Sequence, residues 1–481
     1  MYNGTPIRNK QLWIIGLVFL LVFISRIPYI NNSTAEMGEI WRQTDTESIA
    51  RNFVKYRFNI FYPQLNYDGV PPNYVQLEFQ ISTFLIAVLY RIFGYHIWLA
   101  RLVPISFFMF SAYFLFLMAK RFFALPQALI VIIIYSMLPI NIFFSRAIMP
   151  EAALLCFFNG AFYFFLKWRD DECFFTLMTA AAFTCIAISQ KLPAAFMGLA
   201  MIALCFEKFR FQILKQWQLW AFAAISLIPN AVYFLWLGTV AEQKFVSGIA
   251  VKHIIPEFLK AMISPEAYGF YTAKLPEAFG TPVLVLALIS IFTMFNKKER
   301  PILYWTVAVL LEVMLIVSVI KFKYYLILLA PVLALLAGKI SGMLWGKSFM
   351  GKAALLLLIF IFAYHSYGSA QKDFEVRRWP LEGAEIIDTY TQPQDLTIIS
   401  TFNPVILSLS NRAGWRANLK YHEYIPKEMA EEMSYFIRHG ADYFLVYKNS
   451  IYNDNGSYIK YLNENFDKKA YGKDFVMYKL D

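Results

Sequence analysis

Polar chemistry is concentrated in the stretch EIWRQTDTESIARNF, Glu39 to Phe53, which follows the first long apolar segment of the chain. Asp45 lies there among Trp41, Arg42 and Gln43. A carboxylate in such a partly dry site can have its pKa and its hydrogen bonds tuned. Asp45 could therefore act as a general base that removes the proton of an acceptor hydroxyl.

A structural role for Asp45 is equally open. Thr44 or Asp45 followed by Glu47 or Ser48 is also the sequence pattern of a helix N-cap. Both interpretations, a base and a cap, stand at this point.

A second acidic residue occurs in FFSRAIMPEAALLCFF, which places Arg146 and Glu151 at the end of the third predicted membrane span. Pro150 followed by Glu151 is an ordinary way to begin a helix, which favours a structural role. The functional interpretation gains weight because Asp45 and Glu151 come from different spans and are expected on the same side of the bilayer. Glu151 and Arg146 are therefore candidate substrate-binding residues.

Cations occur between two later spans, in VIKFKYYLILLAP. Lys321 and Lys323 lie there on the side where the positive-inside rule predicts few lysines. Such a pair suits a lipid-linked phosphate, and Tyr324 suits a membrane interface. Snorkelling of the two lysines at a helix end is the competing interpretation.

Glu78, in QLEFQ, is an acid inside an otherwise apolar segment. Such a residue is usually paired, here with Arg42 or Arg91, which favours a structural role. Glu78 and Arg42 complete the candidate substrate-binding residues. The sequence shows no Gly-rich phosphate loop, nucleophile elbow or cysteine–histidine pattern, and its histidines lack metal-ligand spacing.

Composition indicates which elements must hold these residues. The chain has 481 residues, of which 59% are hydrophobic and only 16% are charged. A soluble protein of this length could not bury so much apolar surface, so the predicted class is an all-α polytopic membrane protein that has the lipid bilayer as a partner. At roughly 20 residues per crossing, we predict about eleven spans: 12–30, 97–119, 126–145, 152–167, 173–190, 192–207, 217–237, 281–296, 301–320, 325–340 and 353–368.

Charge in the short loops predicts the orientation. Lysines and arginines recur in every alternate loop, from Lys120 and Arg121 to the NKKER segment, which is the positive-inside pattern. These inner loops account for much of the net charge of +11, so nucleic acid is not expected as a partner. The first apolar segment is expected to be retained rather than cleaved as a signal peptide.

Two polar regions are predicted on the outer side. The first outer loop, 31–98, is expected to carry interface helices at 49–57 and 77–93. After a membrane domain over 1–370, residues 371–481 form a predicted extracytoplasmic α/β domain. Its strands are predicted at LTIIS, ILSLS, DYFLVYK and DFVMYKL, and its helix at PKEMAEEMSYFIRHG.

These motifs together resemble the protein O-mannosyltransferase and aminoarabinose-transferase type of integral-membrane glycosyltransferase, which has the GT-C fold. WRQTDTESIARNF is similar to the WRQ-x-D-T-x-x-I-A-R-N-F box of many bacterial members, and EFQISTFLIAVLYRIFG, SRAIMPEAALLCFF and KFKYYLILLAP resemble later family segments. The resemblance covers nearly all of 1–370. It has two departures: Gln80 replaces a common proline, and Glu151 replaces a common aspartate.

The resemblance implies a catalytic base at Asp45, a second acid of the site at Glu151, and basic residues near a lipid phosphate at Lys321 and Lys323. No cofactor is expected, because the phosphate of a polyprenyl-phosphate sugar leaves without a proton. A divalent metal between Asp45 and Glu151 is conceivable for this fold, although two carboxylates do not establish one. The expected reaction is a single in-line displacement that inverts the anomeric carbon.

The leading hypothesis is therefore an inverting glycosyltransferase of the plasma membrane. It would move a hexosyl or pentosyl group from a polyprenyl-phosphate donor to a hydroxyl of an envelope glycan, a lipid or a protein. A transporter or flippase for the same lipid is the alternative, and it predicts charged residues in mid-span, of which Glu312 is the main example. A non-catalytic scaffold is the third hypothesis, and it would tolerate loss of Asp45 and Glu151.

Overall fold

Helices dominate the computed structural model, which describes residues 9–241, 243–294, 296–345, 348–417, 428–449 and 456–480. The α-helices are, in chain order, α1 Asn9–Ile24, α2 Ile40–Lys55, α3 Ile81–Phe93, α4 Ile97–Phe122, α5 Leu125–Met137, α6 Pro139–Phe144, α7 Glu151–Asp171, α8 Phe174–Gln190, α9 Met197–Phe209, α10 Trp217–Val240, α11 Phe245–Ile249, α12 Ile255–Met262, α13 Pro265–Phe279, α14 Thr281–Phe292, α15 Arg300–Glu312, α16 Ser318–Ile320, α17 Leu329–Trp345, α18 Phe349–Gln371, α19 Arg378–Tyr390, α20 Val405–Leu409, α21 Met429–Arg438 and α22 Ser457–Asn465. Turns of 3₁₀-helix cover Leu192–Phe196, Arg210–Lys215, Lys297–Glu299, Lys323–Leu328 and Lys372–Phe374, and π-helical turns cover Ala250–Ile254 and Val313–Val317. The strands are β1 Val75–Gln76, β2 Gln243–Lys244, β3 Leu396–Ile399, β4 Gly414–Arg416, β5 Ala441–Tyr447, β6 Asp467–Tyr471 and β7 Phe475–Lys479.

The predicted all-α polytopic class is confirmed. Six described helical segments are long and apolar enough to cross a membrane: Ile97–Phe122, Leu192–Lys215, Trp217–Val240, Lys297–Ile320, Lys323–Trp345 and Phe349–Phe374. The pair α13 and α14, bent by 100°, is a seventh candidate if it forms one span. The remaining predicted spans fall on the helices α1, α5, α7 and α8.

The chain divides into two compact units. Unit 1 consists of Met1–Ile30, Arg101–Trp236 and Phe245–Lys372, and unit 2 consists of Asn31–Ala100, Leu237–Lys244 and Asp373–Asp481. Unit 1 therefore contains most of the membrane helices, whereas unit 2 contains the first outer loop together with the C-terminal region.

The helices of unit 1 differ in exposure. Leu335 and Leu336 in α17 are fully buried, whereas α10 and α18 expose large apolar side chains such as Leu235 and Phe360. Because helices have no unpaired backbone groups along their length, exposed apolar helix faces of this kind suit contact with lipid.

Close packing of α17 against α5 depends on two glycines in a G-x-x-x-G pattern, Gly338 and Gly342. A Cβ atom on Gly338 would lie 2.3 Å from Cγ2 of Val131, and one on Gly342 would lie 2.1 Å from Cγ of Gln127. Small residues at this spacing let membrane helices approach closely. The contact fixes α5, from which the chain continues through α6 to Glu151.

The C-terminal part of unit 2 contains a five-stranded sheet in the order β4-β3-β5-β7-β6. β3 is parallel to β4 and β5, whereas β7 is antiparallel to β5 and β6. β3, β5 and β7 confirm three of the predicted strands, and the small α/β region is confirmed. α21 confirms the predicted helix within the described residues, which exclude Pro426 and Lys427.

The strand predicted at ILSLS is wrong, because this segment forms the helix α20. The Asn403 side chain accepts a hydrogen bond from the Val405 N–H at 3.1 Å, and the Ser410 hydroxyl donates to the Ile406 carbonyl at 2.9 Å. Such local bonds offer the backbone an alternative to a sheet. The strands β4 and β6, and the helices over 245–279, were not predicted.

The helices predicted at 49–57 and 77–93 are present with different bounds, as α2 and α3. Within unit 2, backbone hydrogen bonds also join the first loop to the C-terminal region. The Met37 N–H donates to the Glu375 carbonyl at 2.8 Å, and the Arg377 N–H donates to the Ala35 carbonyl at 2.9 Å. The C-terminal region is thereby part of the framework that positions α2.

We expect Gly338→Ala to lower the free energy of unfolding by about 1–3 kcal/mol, because the new Cβ must displace Val131 in a close helix contact. Gly368→Ala is the matched control, since nothing lies within 4 Å of a Cβ at Gly368 in α18. It should be neutral or stabilising by about 0.5–1 kcal/mol. Thermal unfolding in detergent measures both, and equal effects of the two variants would contradict the close contact.

Candidate functional site

Asp45 lies inside helix α2 rather than at its end. The helix begins at Ile40, and Glu39 occupies the N-cap position. The interpretation of Thr44 or Asp45 as an N-cap is therefore wrong. The Thr44 hydroxyl instead donates to the Ile40 carbonyl at 2.6 Å.

The Asp45 carboxylate is buried and held by an aromatic hydrogen-bond chain. Asp45 is only 5% exposed. The Tyr67 hydroxyl donates to Asp45 Oδ2 at 3.0 Å, and the Trp41 indole N–H donates to the Tyr67 oxygen at 3.2 Å. Asp45 Oδ1 is buried and has no hydrogen-bond partner among the described residues. One oxygen is thus positioned, while the other keeps its capacity to accept a proton.

Burial raises the pKa of Asp45 from 3.8 to about 7. The charges of Arg42 and Arg416 oppose this rise, as do the Tyr67 and Trp41 donors. Burial and the nearby Asp45 charge raise the pKa of Tyr67 well above its usual value, so Tyr67 remains a donor. A carboxylate whose pKa lies near neutrality is well matched to general-base catalysis.

Arg42 and Glu78 form an ion pair, which is one of the two pairings considered for Glu78 from the sequence. Their side chains are 22% and 15% exposed, so the pair is partly open to solvent. Arg91 lies over the Phe58 ring, with its guanidinium carbon 4.5 Å from the ring centroid. Arg42 therefore binds Glu78 while its charge also acts on Asp45.

The sequence analysis missed Tyr67 and Arg416, which act on Asp45, and Asp68, which binds Arg416. Arg416 lies in β4 and forms a buried ion pair with Asp68, from which it is separated by 348 residues. The tetrapeptide NYDG that contains Tyr67 and Asp68 indicates a turn and nothing more. No sequence signal connects it to Arg416.

In unit 1, Glu151 pairs with a lysine that the sequence analysis also missed. Glu151 is the first residue of α7 and follows Pro150 at the N-cap position. Lys191, which directly follows α8, places Nζ 2.5 Å from Glu151 Oε1. The same ammonium lies 4.1 Å from the ring centroid of Tyr324 and 4.2 Å from that of Tyr325. Glu151 and Tyr324 are thus brought together through Lys191.

Two further charged side chains of unit 1 are buried. Glu312, at the end of α15, interacts electrostatically with Lys191, and neither carboxylate oxygen has a hydrogen-bond partner among the described residues. Arg146 donates to the Tyr29 carbonyl at 2.8 Å. Arg146 thereby ties the segment before α7 to the residues that follow α1.

A cavity of about 480 Å³ lies in unit 1. Lys321 and Tyr324 line it, together with apolar residues such as Phe322. Its other charged or titratable lining residues are His253, Glu257, Lys260 and Glu266. Its volume lies within the usual range for small-molecule sites, and its mixture of apolar walls and a few charged groups is typical of them.

The two lysines predicted as a phosphate-binding pair have different surroundings. Lys321 lines the cavity. Lys323 instead places Nζ 3.1 Å from Glu277 Oε1, and Glu277 also pairs with Lys274 at 2.6 Å. One predicted cation is therefore at the cavity and the other belongs to an ion-pair network.

Comparison with known proteins identifies the fold. Residues 81–236 match the family model for dolichyl-phosphate-mannose-protein mannosyltransferase. The structure is similar to that of ArnT from Cupriavidus metallidurans bound to undecaprenyl phosphate, with 14% identity and a TM-score of 0.65 over 98% of each chain. The chain has the GT-C fold.

A second solved structure has the same GT-C fold. It is the archaeal oligosaccharyltransferase AglB from Archaeoglobus fulgidus in complex with an inhibitory peptide and a dolichol-phosphate, at 13% identity and a TM-score of 0.58, covering 91% of this chain and 69% of that one. No curated protein sequence matches the chain. The resemblance to GT-C glycosyltransferases is confirmed, and the family model and the fold together indicate a multi-pass membrane glycosyltransferase.

The two candidate carboxylates of this GT-C chain have cationic neighbours. Arg42 and Arg416 act on Asp45, and Lys191 pairs with Glu151. The part of the chain that the structure describes contains no group of three or more His, Cys, Asp and Glu residues able to hold a metal ion. These donor sets do not fit a divalent metal at either carboxylate, because a cation there would meet ammonium and guanidinium groups.

Proposed function

We propose that this chain is an inverting glycosyltransferase that takes its sugar from a polyprenyl-phosphate donor. The sugar is a hexose or a pentose, and the acceptor is a hydroxyl of an envelope glycan, a lipid or a protein. A lipid-linked phosphate suits the fold, since the ArnT structure contains undecaprenyl phosphate and the AglB structure contains dolichol-phosphate. The observation that carries the proposal is the buried Asp45 carboxylate with one positioned oxygen and one oxygen able to accept a proton.

Asp45 is the general base of the proposed reaction. Its carboxylate removes the proton of the acceptor hydroxyl while the acceptor oxygen forms a bond to the anomeric carbon of the sugar. The Tyr67 hydroxyl holds the other carboxylate oxygen at 3.0 Å and so fixes its direction. Because the pKa of Asp45 is about 7, the carboxylate is available near neutral pH and is basic enough to take the proton.

The leaving group is the polyprenyl phosphate, which keeps the electron pair of the broken bond to the anomeric carbon. We assign its phosphate to the cavity of unit 1, where Lys321 provides a cation and Tyr324 a polar ring. The apolar lining, which includes Phe322, suits the start of a prenyl chain. One displacement of this kind inverts the configuration of the anomeric carbon.

We further propose that the protein lies in a plasma membrane with residues 371–481 outside the cytoplasm. The support is the recurrence of lysine and arginine in every alternate short loop of the predicted topology. Polyprenyl-linked donors and envelope acceptors are both accessible on that side.

A transporter or flippase for the same lipid is the second candidate function, and one observation favours it. Glu312 is a fully buried acid within the span Lys297–Ile320, and ionisable residues inside membrane spans commonly mark ion or substrate pathways. Its electrostatic partner is Lys191, which also binds Glu151. A transporter would keep its activity without Asp45, which separates the two functions.

Asp45→Asn tests the proposed function. Asparagine keeps the size of aspartate but removes the base, so sugar transfer from radiolabelled polyprenyl-phosphate donors is expected to fall by about 10²–10⁴-fold. Donor binding should be retained.

The matched control for Asp45→Asn is Glu47→Gln on the same helix. Glu47 is equally buried but accepts hydrogen bonds from Arg51 at 2.7 Å and Tyr90 at 2.9 Å. Its replacement should affect stability more than transfer. Transfer by Asp45→Asn at the level of the wild type would contradict the assignment of the base.

Lys321→Gln tests the phosphate site. Loss of a charge-assisted contact worth about 1.5–3 kcal/mol should raise the donor KM by roughly 10–100-fold. Lys323→Gln is the matched control two positions along, and a smaller effect is expected because Glu277 holds its ammonium. Steady-state kinetics with varied donor concentration measure both KM values. A larger rise of the donor KM in Lys323→Gln than in Lys321→Gln would contradict the assignment of the phosphate to the cavity.

A further inference from the structure

Arg416, in strand β4, is buried and bound from two directions. Its Nε donates to Asp68 Oδ1 at 2.9 Å, and a second guanidinium nitrogen binds the other oxygen of that carboxylate. Its Nη1 donates to the Phe402 carbonyl at 2.9 Å. Because a bidentate guanidinium–carboxylate pair fixes the relative orientation of both groups, the Arg416 plane has a defined direction.

That plane lies against the aromatic residues that hold Asp45. The guanidinium carbon is 4.7 Å from the ring centroid of Tyr67 and 5.3 Å from those of Trp41 and Phe402. Trp41 also packs edge-on against Phe402, with ring centroids 5.1 Å apart. Arg416 therefore contacts both members of the hydrogen-bond chain that ends at the Asp45 carboxylate.

The backbone next to Tyr67 is attached to the same strand. The Gly414 N–H donates to the Asn66 carbonyl at 3.0 Å, and the Gly69 N–H donates to the Gly414 carbonyl at 3.2 Å. A Cβ atom on Gly414 would lie 1.9 Å from the Thr397 carbonyl oxygen, so this close approach requires glycine. Strand β4 thus holds the loop on both sides of the residues that Arg416 contacts.

We propose that Arg416 is a positioning residue for sugar transfer: by binding Asp68 and stacking on Tyr67 and Trp41, it fixes the Tyr67 hydroxyl against the Asp45 carboxylate. The inference rests on the proposed function of Asp45 as the base. It gives the C-terminal α/β region a part in catalysis, because that region supplies one of the two arginines whose charges act on Asp45. Arg416 acts through Tyr67 and through its charge, not by touching the substrate.

The groups that face Asp45 come from three elements. Arg42 and Trp41 lie on the same helix, Tyr67 lies in the loop that follows it, and Arg416 lies in β4. A cation favours the charged form of a nearby carboxylate, so loss of Arg416 should make Asp45 harder to ionise. A purely structural arginine would not have this effect.

Labelling of Asp45 with dicyclohexylcarbodiimide, which reacts with protonated carboxyl groups, tests the inference in the full-length protein. Peptide mass spectrometry measures the labelled fraction as a function of pH, and the wild type is expected to be half-labelled near pH 7. Arg416→Gln/Asp68→Asn removes both charges of the pair and leaves none unpaired. The pH at which this variant is half-labelled, its midpoint, is expected to be about one unit higher than in the wild type. The acid side of the pH profile of kcat/KM for sugar transfer should shift in the same direction.

Three further variants make the result specific. Arg416→Lys keeps the cation and should keep the wild-type midpoint. Tyr67→Phe removes the hydroxyl that Arg416 positions and should also raise the midpoint, with little change in packing. Arg412→Gln/Asp388→Asn removes another ion pair of the same region, with Arg412 Nη1 3.3 Å from Asp388 Oδ1, and should leave the midpoint unchanged.

A wild-type midpoint in Arg416→Gln/Asp68→Asn or in Tyr67→Phe would overturn the inference. So would an equal shift in Arg412→Gln/Asp388→Asn, because it would show a general effect of destabilisation. Full sugar transfer by Asp45→Asn would overturn the proposed function instead, and the labelling midpoints would still decide whether Arg416 controls Asp45.

Discussion

The burial of the Asp45 carboxylate is the constraint on which the site depends. A rise in pKa from 3.8 to about 7 corresponds to roughly 4 kcal/mol in favour of the neutral carboxyl. Arg42, Arg416 and the Tyr67 hydroxyl oppose burial and keep the charged form accessible near neutral pH. Stronger cationic contacts would lower the pKa of Asp45 and make it a weak base. Weaker contacts would raise the pKa further and keep the carboxyl protonated at neutral pH, so the surrounding residues set its basicity.

The same constraint explains the buried charges of unit 1. A carboxylate and an ammonium that leave water each lose several kcal/mol of hydration unless they are paired. Lys191 compensates Glu151 at 2.5 Å and rests on the rings of Tyr324 and Tyr325. Lys321, by contrast, lines a cavity that is open to solvent, so its charge is available to an arriving phosphate.

The helical class and the position of the candidate base could be predicted, because both depend on short contiguous stretches of sequence. The apolar segments predicted the helical class, and the WRQTDT motif singled out Asp45 before its surroundings were known. ILSLS was misassigned because Asn403 and Ser410 stabilise a helical turn that a short apolar run does not reveal. Arg416 was not predictable, because its partner Asp68 lies 348 residues away and no motif links them.

The pH dependence of kcat/KM for sugar transfer tests the central claim, that a buried Asp45 is the base, most directly. Asp45 must be unprotonated to accept a proton, and its raised pKa means that the protonated form dominates below about 7. We expect kcat/KM of the wild type to fall about tenfold per pH unit below that value and to level off above it. A profile that stays flat down to the usual aspartate pKa of 3.8 would contradict the account.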